Sequence, residues 1–243
     1  MAIISLKKIY KSYKILSTPF YWKGAFCKVA AGIEHEKLLK NIPSCHLIVD
    51  VGANRGQFSL VARRFFPKAL IYSFEPQPKP ARLYKALFKG DPQVIFFNGG
   101  IGPIVGKFPM HVSLKDDSSS LFPISHLQNY FFPGTYKKDE ILVEIGPLDY
   151  WLKNVIFHSP ALLKIDVQGY ELEVLRGCEN LLDNFQYIYV EASFYELYMG
   201  QALADQIVDF LYSKHFRFRG IYNLVYDSKG NSIQGDFFFE KEK

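Results

Sequence analysis

The sequence predicts an α/β protein: a doubly wound, mostly parallel sheet with helices on both faces and a helical arm at the N-terminus. Three observations carry that prediction. From residue 47 onward, short apolar runs alternate with helical patterns, the rhythm of βαβ units. The first run, Leu47 to Val51, passes straight into Gly52-Ala53-Asn54-Arg55-Gly56 and then a helical pattern. Such a turn lets a ligand touch the backbone at a helix start, where N–H groups are free. Finally, five successive runs end in polar or acidic groups: Asp50, Glu75, Asn98, Asp166 and Glu191. In an open parallel sheet, the carboxyl ends of the strands are where ligands bind.

The elements follow in chain order. Residues 3–16 set Ile and Leu among Lys and Tyr, which predicts one or two basic amphipathic helices. Thr18-Pro19 breaks the pattern, and Phe20-Tyr21-Trp22 follows as an aromatic cluster. Residues 1–40 are expected as a basic arm and 41–243 as the main domain. The arm is expected to pack on the domain or to complete a homodimer, while its basic amphipathic character also suits a membrane surface. Strands are predicted at 47–51, 69–74, 93–97, 161–165, 186–191 and 216–221, with helices at 56–66, 78–89, 170–182 and 201–214. Phe237-Phe238-Phe239 marks a seventh strand closing one sheet edge. Residues 99–147 break the rhythm with a glycine-rich turn and two β-like runs, near 107–113 and 140–145. The polar stretch between those runs is expected to lack a helix and to lie over the site, with Asp116 to Ser120 closing on it.

Composition narrows the function. Half of the 243 residues are apolar (49%), enough for a substantial core. Of the net charge of +5, most sits in residues 1–40, where eight lysines face only Glu34 and Glu36. The remainder is near neutral, which argues against nucleic acid as a partner. Cys27, Cys45 and Cys178 have no metal-ligand spacing and are expected as free thiols. Lysines 7, 8, 11 and 14 interrupt any leader-like apolar stretch, and no run approaches the roughly 18 apolar residues of a membrane span. A soluble, cytoplasmic protein is expected.

The first turn separates the possible cofactors. Read as G-x-G-x-x-G from Gly52, it places Asn54 and Gln57 where a dinucleotide site has glycines. That weakens an NAD-dependent oxidoreductase, and no G-x-x-x-x-G-K-[ST] phosphate loop is present. A ligand with an adenosine end and an amino-acid end fits better. Glu75, 25 positions after Asp50, is placed to accept both ribose hydroxyls. Asp50 offers an acid to an ammonium group, and the backbone from Gly52 to Gly56 can receive a carboxylate. S-adenosylmethionine has that shape.

These residues resemble the FkbM-type S-adenosylmethionine-dependent methyltransferases. The resemblance rests on Val49 to Phe58, Phe74-Glu75-Pro76, Pro147-Leu148-Asp149, Leu163 to Glu171, Val174 to Cys178 and Val190 to Ser193, within residues 33–221. Gln168 stands where an acid is also common, and Asn98-Gly99-Gly100 is richer in glycine than usual. The resemblance implies a class I methyltransferase sheet of seven strands with an antiparallel last strand. It also implies methyl transfer to a hydroxyl oxygen of a sugar, glycan or natural product. The expected cofactor contacts are Asp50, Gly52, Asn54, Gly56, Glu75 and Asn98, with Asp166 near the methyl group.

A sugar hydroxyl reacts well only if its proton leaves as the bond forms, so a base is needed. Asp166 is the first candidate, followed by Glu191 and the loop residue His158. Asp166 and Glu191 could also hold Mg²⁺ between two strand tips, though two carboxylates are thin coordination. Lys164 shares a sheet face with Asp166 and is expected to form an ion pair with it, with Asp50 or with Glu171. Glu171 opens the following helix, where capping accounts for it equally well. A binding module that has lost catalysis on the same fold is the remaining alternative.

Overall fold

The computed structural model describes residues 2–153 and 155–242, with side chains from residue 9 onward; the side chains of Lys7 and Lys8 lie outside the described residues. The chain enters through α1 (Ala2–Leu16), α2 (Trp22–Phe26) and α3 (Glu36–Leu39). It then alternates β1 (Leu47–Val51), α4 (Gln57–Phe65), β2 (Leu70–Phe74), α5 (Pro78–Leu87) and β3 (Val94–Phe97). An excursion of β4 (Gly100–Ile101), β5 (Gly106–Ser113), α6 (His126–Phe131) and β6 (Lys137–Gly146) leads through α7 (Leu148–Trp151) back to the main sheet. There follow β7 (Ala161–Ile165), α8 (Glu171–Gly177), β8 (Tyr187–Ser193), α9 (Ala204–Ser213) and the hairpin β9 (Phe216–Tyr226) and β10 (Ser232–Lys241).

The main sheet has seven strands in the order β3-β2-β1-β7-β8-β10-β9. The first five are parallel to their neighbours, and β10 runs antiparallel to both β8 and β9. This is the class I methyltransferase arrangement that the resemblance implies, though the parallel part ends at β8. The strand order reverses at β1 and β7, the crevice where such sheets bind ligands.

Both faces are covered, which is why the central strands read as continuous apolar runs. Ile48, Ile71, Leu162, Tyr189 and Phe238 point toward α3, α4 and α5. Val49, Val51, Leu163, Ile165, Val190 and Phe237 point toward α7, α8 and α9. Helix α8 stops at Gly177, earlier than the pattern to 182 suggests, and residues 179–184 continue as a 3₁₀ turn. Gly177 lies so close to the backbone of Gly102 that an added Cβ would stand 2.6 Å from its carbonyl carbon. The helix thus buttresses the glycine-rich turn after β4.

The excursion differs from expectation in one respect. The stretch between β5 and β6 does contain a helix, α6, with Ser125 as its N-cap accepting from Gln128 N (3.4 Å). Leu127 and Phe131 pack from it against Leu197, Tyr198 and Ile233. A short helix is stable there because tertiary packing, not length, supports it. Among the described residues, no helix is long and apolar enough to cross a membrane.

Candidate active site

Three of the five residues after β1 adopt left-handed backbone: Gly52 (φ 78°), Asn54 (φ 47°) and Gly56 (φ 93°). At Gly52 a side chain is impossible, since a Cβ would fall 1.8 Å from the Asp166 carbonyl oxygen. That contact lets the turn nestle against the end of β7. Gly52 N and Ala53 N both donate to Phe74 O (3.0 and 2.9 Å), fastening the turn to β2 as well. Gly56 serves packing instead: its Cβ would meet Tyr84, Leu87 and Phe88 of the α5 region.

Glu75 is the hub of the turn. Its Oε2 accepts from Asn54 N (2.9 Å) and its Oε1 from Gln77 N (2.8 Å). Burial outweighs those bonds and pushes its pKa up to about 7. Asn98, at the end of β3, does not reach the cavity; its amide donates to the carbonyls of Glu75 (2.8 Å) and Pro76 (3.2 Å). It braces the segment that carries Glu75.

Asp50 lies beneath the turn, fully buried. Ser59 Oγ donates to it at 2.6 Å, and Lys164 Nζ lies 3.3 Å away. Lys164 also donates to Gly52 O (3.2 Å) and sits 3.6 Å from Asp166. Burial pulls the Lys164 pKa down, but Asp50 and Asp166 overcome it and hold the ammonium firmly charged. One lysine therefore ties the ends of β1 and β7 together.

Asp166 is about one-third exposed (32%) and faces the cavity. Glu191, on the neighbouring strand, stands behind Gln168 and outside the cavity wall. Gln168 holds left-handed backbone (φ 60°) and donates through Nε2 to both Asp166 (2.8 Å) and Glu191 (2.9 Å). The amide thus occupies the space where a cation shared by the two carboxylates would sit. Burial, and then the charge of Asp166, raises the Glu191 pKa well above the ordinary carboxylate range. Glu171 accepts from Val167 N and Gly169 N (both 3.1 Å), and burial brings its pKa up to about 7. His158 is exposed and away from the cavity.

The cavity, about 320 Å³, opens at the carboxyl ends of β1, β2 and β7. Phe74, Ile101, Val174 and Tyr170 form an apolar side; Asn54, Glu75 and Asp166 bring polar groups. Asp116 and Asp117 come over the top, where Arg55 grips the Asp116 carboxylate (2.5 and 2.6 Å) and Gln77 donates to its carbonyl (2.9 Å). Asn54 Oδ1 is buried with no hydrogen-bond partner among the described residues.

Sequence reasoning missed the far wall, formed by Lys11 of α1 with Glu34 and His35. His35 is wedged between Phe58 and Tyr189, with ring centroids 5.3 and 5.6 Å away. The Tyr189 hydroxyl donates to Asp236 Oδ2 (2.7 Å), so at its 3.1 Å contact with His35 Nδ1 it accepts. In the neutral ring this puts the proton on Nδ1 and leaves the lone pair on Nε2. Nε2 has no hydrogen-bond partner among the described residues, on a side chain that lines the cavity. No spacing in the sequence marks His35, because its partners are β8 and β10 residues far along the chain.

Comparison with known proteins finds methyltransferases. The Methyltransferase FkbM domain matches residues 50–219. The 2-O-methyltransferase NoeI of Sinorhizobium fredii is 32% identical over 179 residues, covering 68% of this chain and 70% of the relative. The methyltransferase sdnD of Sordaria araneosa is 31% identical over 169 residues, covering 58% of this chain and 63% of the relative. A solved putative methyltransferase from Thermobifida fusca superposes with a TM-score of 0.49 at 13% identity, over 87% of this chain and 81% of that one.

Proposed function

Since the chain belongs to the FkbM methyltransferase family, we propose that it methylates a hydroxyl oxygen of a sugar, glycan or natural product. The family displaces the nicotinamide alternative. The observation that carries the proposal is His35: a cavity-lining imidazole with its proton fixed on Nδ1 by Tyr189 and Asp236, and Nε2 left as an acceptor. Methylating a hydroxyl requires that its proton be taken up, which such a group does.

The residues present fit S-adenosylmethionine. The orphaned Asn54 Oδ1 wants a donor, which an ammonium or hydroxyl supplies. Glu75 uses its backbone bonds to hold position and keeps lone pairs for ribose hydroxyls. Phe74, Ile101 and Val174 give an apolar berth for a purine. When bound, S-adenosylmethionine supplies an electrophilic methyl group. The protein then has to align the acceptor oxygen, which can contribute roughly 7–11 kcal/mol. In this proposal Asp166 orients the reacting groups, held in place by Lys164 and Gln168, and His35 Nε2 takes the proton.

The test is transfer of labelled methyl from S-adenosylmethionine to a panel of saccharides and polyhydroxylated natural products, with amine and carboxylate acceptors alongside. The proposal expects label in a base-stable ether. Label on nitrogen, or in a base-labile ester, would overturn it. Cofactor binding without transfer to any acceptor class would favour the non-catalytic module.

A further inference from the structure

Over residues 9–16, helix α1 has its polarity reversed. A helix on a globular domain normally turns its apolar stripe inward and its charges to water. Here Lys11 and Lys14 turn inward, to Glu34 (2.9 Å) and Glu36 (3.3 Å). Ile9, Tyr13 and Leu16 follow one another at helical spacing on the outer side. Trp22 continues the row by donating Nε1–H to Leu16 O (2.9 Å), and Phe26 lies one turn further along α2. These five side chains are between 47% and 85% exposed. Ile15, alone among the described apolar residues of α1, packs inward against the core.

Such a face wants an apolar cover, and the surrounding charge says which. Residues 9–32 hold no aspartate or glutamate; Lys11 and Lys14 are taken inward by Glu34 and Glu36, while Lys23, next to Trp22 on α2, and Lys28, two positions after Phe26, are exposed. A second copy of the chain fits poorly: a two-fold contact joins two copies of the same patch, and residues 9–32 hold no carboxylate to meet Lys23 and Lys28. A negatively charged lipid surface fits on both counts. Trp and Tyr favour the bilayer interface, leucine and phenylalanine side chains enter the acyl boundary, and lysines meet the headgroup phosphates. We propose that the outer face of α1 and α2 docks the protein on the surface of an anionic lipid bilayer.

The full chain is mixed with phosphatidylcholine vesicles, with or without phosphatidylglycerol, and the bound fraction is read by flotation. Binding is expected to the anionic vesicles and to weaken about tenfold in high salt, as the lysine contribution is screened. The variant Leu16→Ser/Phe26→Ser should bind about tenfold less or weaker still, with S-adenosylmethionine titration as the check that it folds. A second variant, Lys23→Glu/Lys28→Glu, leaves the apolar row intact and should lose the preference for anionic vesicles. Wild-type protein remaining unbound with anionic vesicles would overturn the proposal, as would full binding by both variants. A dimer in solution that Leu16→Ser/Phe26→Ser dissolves, without vesicle binding, would assign the face to a second copy instead.

Discussion

If Glu75 accepts the ribose hydroxyls as proposed, cofactor affinity depends on pH in a calculable way. In the free protein its pKa stands at about 7 because burial opposes the charge more than Asn54 N and Gln77 N support it. Ribose hydroxyls donating to the ionised carboxylate would each contribute about 1.5–3 kcal/mol. That is roughly one to two pKa units per bond, enough to bring the bound-state value down to about 5 or below. Binding therefore releases a proton, and affinity must rise with pH until Glu75 is ionised in the free protein. Above a pH of about 7 the dissociation constant should be flat; it should weaken about tenfold by one unit below, and a further roughly five- to tenfold over the next unit. Calorimetric titration with S-adenosylhomocysteine from acid to mildly alkaline pH measures the curve, and two buffers of different ionisation enthalpy count the proton. Glu75→Gln should bind weakly and without the pH dependence. Glu171, with a similar pKa, lies outside the cavity wall, so Glu171→Gln should retain it. A flat wild-type profile, or the same slope in Glu75→Gln, would refute the reasoning.

Four further outcomes follow from the same geometry. Lys164→Met removes the cation paired with the fully buried Asp50, which should cost about 3–5 kcal/mol and lower Tm by roughly 6–20 °C in a thermal melt. Glu171→Gln should stabilise the protein above a pH of about 7, by at most about 3 kcal/mol, because the native carboxyl titrates at about 7 and the unfolded one near 4.5. That gain should fade as pH falls through this window, where the unfolded chain also becomes protonated; denaturant midpoints against pH would show it. His35→Gln should lower kcat about 10²–10⁴-fold with cofactor affinity retained, in steady-state assays with saturating acceptor. Thorough chelation should leave methyl transfer unchanged, since the Gln168 amide sits between Asp166 and Glu191; a rate restored only by Mg²⁺ would show that the amide moves aside.

The fold was legible because its signal is local. β1, β2, β7 and β8 are buried on both faces, so each reads as an apolar run with polar residues only near its carboxyl end. The turn after β1 was legible for a similar reason: Gly52 and Gly56 hold left-handed backbone, a local demand that favours glycine. Helix α6 escaped notice although Ser125 and Gln128 stand at the spacing of a capping box. Six residues give too little helical period to stand out, and what stabilises them, Leu197, Tyr198 and Ile233, lies elsewhere in the chain.

At the site, the pleat explains what could and could not be read. A strand end reveals which residue types are present but not which side each one takes. Val51 lines the cavity while Asp50, one position earlier, points under it toward Ser59 and Lys164. An acid at the end of β1 thus reads as a ligand contact and is, in the fold, the partner of a buried lysine. Asp166 and Glu191 share a sheet face, yet Gln168 comes between them, through a left-handed backbone that no spacing rule announces. His35 is the extreme case. Its nearest polar partner is Tyr189, 154 positions away, and the tautomer depends in turn on Asp236 from the antiparallel β10. The cofactor side of the cavity is built from motifs contiguous in sequence. The wall that carries the proposed proton acceptor is assembled from α1, the segment before β1, and β8 and β10, which is why the family is plain from sequence and His35 is not.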